Sequence, residues 1–127
     1  MMSPAKLQKV IDNLREEIGE ALISCDVWMA QDGFSIASYE SMPKAVAFFN
    51  RVADNLMTSL EKSEVDLPDI GEYFYVKLAD DKGFIVVLMD AYRVSLFFDL
   101  TKVQLGFIFN VMLPNFLENL EEVLIEV

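Results

Sequence analysis

The chain has 127 residues and a mass of 14.5 kDa, with 10 Lys and Arg against 21 Asp and Glu, for a net charge of −11. That is the length of one domain, yet 54% of it is hydrophobic, more than a small acidic monomer easily hides. It has no histidine and one cysteine, Cys25, which removes imidazole bases, histidine-bearing zinc sites, Cys₄ sites and intrachain disulfides.

Ser3-Pro4 reads as a helix N-cap followed by proline at the first helical position. Leu7, Val10, Ile11, Leu14 and Ile18 then lie on one narrow stripe of a helix ending near Gly19. Leu22–Ala30 reads as a strand, Gln31-Asp32-Gly33 as a turn, and Phe34–Tyr39 as the returning strand. Ser41 can cap the second helix, with Pro43 in its first turn, and that helix runs to Glu61. Its apolar arc spans about 180°, where a single buried face needs only about 100° or a little more. Phe49, Ala53, Leu56 and Leu60 hold the centre of the arc. Phe48 and Val52 flank it on one side, Val46 and Met57 on the other.

Glu61–Glu72 is an acidic loop broken by Pro68 and Gly71. Tyr73–Leu78 is an aromatic and β-branched strand, and Asp80–Gly83 a hairpin loop. Phe84–Met89 is apolar throughout, as a strand covered on both faces requires. Asp90–Arg93 turns the chain into Val94–Asp99. The last helix starts near Thr101, and Pro114 predicts a bend near Asn110, because it removes one backbone bond and crowds the carbonyl four residues back. The order helix, two strands, helix, three strands, helix predicts an α/β (α+β) sandwich. Its sheet is five-stranded and mainly antiparallel, with helices on both faces, in one domain over residues 1–127.

The longest uncharged run, Val103–Leu117, is too short and too interrupted to span a membrane, and the first residues have no signal-peptide core. The expectation is a cytoplasmic protein that neither inserts into membranes nor binds nucleic acid, which the acidic balance opposes. No phosphate-cradling glycine motif occurs, so nucleotide binding by the chain itself is not expected.

The element order, together with Asp32-Gly33-Phe34-Ser35-Ile36-Ala37-Ser38, Asp80–Gly83 and Leu105-Gly106, resembles the roadblock/dynein-light-chain family over residues 5–125. Two features depart from it. Ser24-Cys25-Asp26 stands where members often have a small, glycine-containing stretch, and Pro114 interrupts a helix usually left continuous. The resemblance implies a longin- and profilin-like fold without chemistry of its own. It implies dimers formed through the second helix and the middle strand, and binding or regulation of small Ras-like GTPases.

The wide arc of the second helix is the main functional signal, since exposed apolar patches mark contacts. The candidate dimer interface is Val46, Phe48, Val52, Asn55 and Met57, joined by Tyr73 and Tyr75 if their strand is a sheet edge. Phe107, Ile108 and Val111 form a second candidate partner surface, unless the first helix covers it. Asp26 and Cys25 read as structural rather than catalytic. Asp80, Asp81, Asp90 and Asp99 read as turn residues rather than metal ligands. The resulting expectation is a non-enzymatic homodimeric module, or a partner of another roadblock-like domain, that binds or regulates a small GTPase without any cofactor. The alternatives are a scaffold without a GTPase, and a ligand sensor with a pocket beside Phe107, Trp28 or Cys25.

Overall fold

In the computed structural model, which describes residues 2–124, Ser3 Oγ accepts a hydrogen bond from the Lys6 amide at 3.3 Å. Pro4 then opens α1 (Pro4–Ile18), whose Leu7, Ile11 and Leu14 are buried. Gly19 stops the helix at φ 61°, a conformation that costs glycine little, and a single 3₁₀ turn leads into β1 (Leu22–Met29). The chain returns as β2 (Ser35–Tyr39) and continues into α2 (Pro43–Lys62). β3 (Tyr73–Leu78), β4 (Lys82–Met89) and β5 (Tyr92–Asp99) follow as a meander. Lys82 and Gly83, expected in the hairpin loop, instead open β4, and Tyr92 and Arg93 open β5. The turns shrink because Asp80, Asp81 and Asp90 take positive φ (60°, 54° and 54°), which Asp tolerates better than most residues.

The sheet is antiparallel throughout, in the order β2-β1-β5-β4-β3. β4 alternates between the two layers, as its apolar run predicts. Ile85, Val87 and Met89 join the core beneath α1 and the last helix, while Phe84 and Val86 join Trp28, Val46 and Phe49 beneath α2.

The two outer strands end differently. Gln8 of α1 donates from Nε2 to the Ser38 carbonyl (2.8 Å) and accepts from the Ser38 amide at Oε1 (3.2 Å). A side-chain amide thus replaces part of a missing strand at Ser38 of the β2 edge. No strand of this chain pairs with the outer side of β3 among the described residues.

The last helix begins four residues later than the sequence suggests. Asp99 Oδ1 accepts from both the amide and the hydroxyl of Thr101 (3.0 and 2.6 Å), which holds that segment in a turn. The helix runs as α3 (Leu105–Phe107), widens into a π turn at Ile108–Met112 and continues as α4 (Leu113–Leu124). The π turn falls where Pro114 predicts distortion. The Leu113 amide reaches back to the Ile108 carbonyl, so the helix has already left the α pattern before the residue that cannot donate.

Candidate interaction surface

The buried carboxylate of β1 is engaged by hydrogen bonds within the fold. Asp26 is 1% exposed. Its Oδ1 accepts from Ser35 Oγ (2.8 Å) and Ser41 Oγ (2.6 Å), and its Oδ2 from the Met42 amide (3.2 Å). Ser41 therefore does not cap α2 with its own hydroxyl. Met42 is the N-cap residue and makes no side-chain cap bond, while Asp26 accepts at that end of the helix from across the sheet. Cys25 is fully buried in the core, and burial together with the neighbouring Asp26 pushes its thiol far above the ordinary range. Trp28 is also fully buried, so neither it nor Cys25 lies beside an open ligand pocket.

Asn50 is a junction that the sequence did not single out. Its Oδ1 accepts from Trp28 Nε1 (2.9 Å) and from the Arg93 guanidinium (2.6 Å), and its Nδ2 donates to the Ala30 carbonyl (3.2 Å). Arg93 also reaches Asp54 at 2.8 Å and Met57 Sδ at 3.7 Å. An arginine buried in β5 with its partners at positions 50, 54 and 57 of α2 locks helix to sheet. The spacing 50, 54, 57 on one helix face was the available signal, but nothing local pointed it at Arg93.

That junction divides the two flanks of α2. Met57 lies on the Arg93 side. Val46 is 1% exposed in the core with Trp28 and Phe84, so it leaves the interface set: its side of the helix is the one the sheet reaches. Phe48 remains 52% exposed, Asn55 is exposed and Val52 half-buried. Phe48 meets the Phe84 ring in a T-shaped pair at 6.5 Å, and Phe74 of β3 lies 6.5 Å from the same ring. The Phe48 flank therefore looks toward the open strand.

β3 is an edge strand, but Tyr73 and Tyr75 do not join α2. Phe74 and Val76 pack on the α2 side, whereas Tyr73 and Tyr75 pack on the other core. Their rings lie 6.0 and 5.3 Å from Phe109. The period-two alternation of a strand decides this. A groove of about 330 Å³ runs beside Tyr73, lined by Phe109, Leu113, Leu117, Glu118 and Glu121 among others.

The second candidate surface is smaller than expected. Ile108 is fully buried with Met112, while Phe107 and Val111 stay 38% and 43% exposed. Phe107 and Ile108 are adjacent and cannot share one helix face, and the core took Ile108. Ile18 and Glu17 of α1 line a cavity with Phe107 and Val103. Among the described residues no cluster of three or more Asp, Glu or Cys is placed to hold a metal ion, and no helix is long and apolar enough to cross a membrane.

An antiparallel five-stranded sheet with β5 returning beside β1, and helices on both faces, is the roadblock/LC7 fold, of longin- and profilin-like kind. Myxococcus xanthus MglB matches with a TM-score of 0.73 at 11% identity, over 96% of this chain and 90% of that one. The gliding protein MglB from Thermus thermophilus matches with 0.73 at 17%, over 100% and 95%. A Roadblock/LC7 domain from Streptomyces avermitilis matches with 0.66 at 11%, over 94% and 98%. No protein-family model and no curated protein matches the sequence.

Proposed function

We propose that this chain is a non-enzymatic, cytoplasmic module that dimerises through β3 and the Phe48–Val52–Asn55 flank of α2, and that binds or regulates a small Ras-like GTPase. The observation that carries the dimer is the open β3 edge beside that apolar flank, in a chain whose opposite edge is engaged at Ser38 by Gln8. An edge left unpaired invites strand addition. The fold shared with roadblock/LC7 and MglB structures supports the GTPase half of the reading. The engagement of Asp26 in three hydrogen bonds and the burial of Cys25 support a role without chemistry.

The test is a pull-down with the tagged full chain, followed by GTP turnover measured on whatever GTPase is recovered. Recovery of a small GTPase whose turnover changes when the chain is added is the expected result. A dimer by light scattering that recovers no GTPase supports a scaffold instead. A monomer at micromolar concentration removes both readings.

A further inference from the structure

The Leu88 amide donates to the Glu72 carbonyl at 2.8 Å, and the β3–β4 register, which pairs Tyr73 with Val87, sets these two residues opposite each other. In an antiparallel ladder bonded pairs alternate with unbonded ones. Phe74 and Val76 therefore also direct their peptide groups at β4. Tyr73, Tyr75 and Lys77 turn theirs to the free edge.

A second copy related by a twofold axis through the sheet keeps α2 on the same face in both copies. Facing residues then share a side, so even positions meet even and odd meet odd. Centring the pair on Phe74 or Val76 leaves one of the three edge residues without a partner inside β3. Centring it on Tyr75 uses all three: Tyr75 faces Tyr75, and Tyr73 faces the second copy's Lys77. On the α2 face this register sets Phe74 against Val76, apolar on apolar.

The same register has an electrostatic consequence. Lys77 is exposed, and opposite Tyr73 it stands beside the second copy's groove, which Tyr73 lines together with Glu72, Glu118 and Glu121 and without any basic residue. Tyr73 stacks on Phe109, which lines the same groove.

We infer that a second copy adds its β3 antiparallel to this edge, centred on Tyr75, with each Lys77 seated at the other copy's acidic groove. This rests on the homodimer reading above and supplies its register and its charged contact.

Single substitutions to cysteine in the full chain test it, with the native Cys25 silent in the core. Y75C is expected to form a disulfide dimer on mild oxidation, because facing residues of a bonded pair stand about 5.5 Å apart between Cα atoms, within disulfide reach. F74C and V76C are expected not to. If Y75C folds poorly, mixing Y73C with K77C should give the mixed cross-link that neither gives alone. Cross-linking by F74C or V76C instead, or by none of these in a chain that light scattering shows to be dimeric, overturns the register while leaving the homodimer. A monomeric wild-type chain overturns both. Lys77→Glu should weaken the dimer about tenfold at low salt, with Glu118→Lys restoring it in the double variant. An unchanged dissociation constant for Lys77→Glu removes the charged contact.

Discussion

At the scale of single residues, the buried polar groups act as fasteners. Asp26 ties β1 to β2 through Ser35 and to the start of α2 through Ser41 and the Met42 amide. Asp26→Ala leaves these donors without their acceptor and should cost about 3 kcal/mol in urea unfolding. Asp26→Asn should cost less, because one acceptor oxygen survives. Cys25 offers a pH test. Its folded-state thiol holds its proton well above the ordinary range, whereas the unfolded chain releases it near pH 8.5. Below that pH the contribution is complete. Above it the unfolded state binds fewer protons than the native one, so stability should fall by up to about 1.4 kcal/mol per pH unit. Cys25→Ala should flatten that slope between pH 8 and 9.5 in urea titrations, and an equally steep variant would count against the assignment.

At the scale of elements, periodicity was readable wherever the partner is local. The α1 stripe, the doubly covered strand within β4 and the distortion before Pro114 all follow from spacing along one segment. Ends were harder to place. Asp99 holds Thr101 back from the helix, and Asp80, Asp81 and Asp90 compress the hairpins. Each depends on a side chain or backbone angle that periodicity does not encode. The π turn also makes a prediction about Pro114. A proline inside a regular helix costs about 3 kcal/mol, so replacing one should recover about that much. Here the widened turn has already given up the regular pattern, so Pro114→Ala should change stability by less than about 1 kcal/mol. A large gain by thermal or urea unfolding would mean that the proline, not the turn, carries the strain.

At the scale of the whole molecule, the conflict between acidity and apolar content resolves into places. Two cores absorb most of the hydrophobic residues, and what remains exposed includes the Phe48 flank of α2 near the open strand. Phe48→Glu should halve the particle mass in light scattering while leaving the circular dichroism spectrum intact, because more than half of that side chain is already in water. An unchanged mass would clear this flank. The sequence by itself determined the element order, the antiparallel fold class and the dual burial of β4, because apolar spacing reports the period of each segment. The tertiary structure alone decided that Val46 and Ile108 are core, that Tyr73 and Tyr75 turn from α2, and that Asn50 meets Arg93. It also decided which edge stays open, because the pairing of β1 with β5 sets the strand order. These outcomes depend on neighbours far along the chain, and exposure belongs to the assembled surface rather than to any segment.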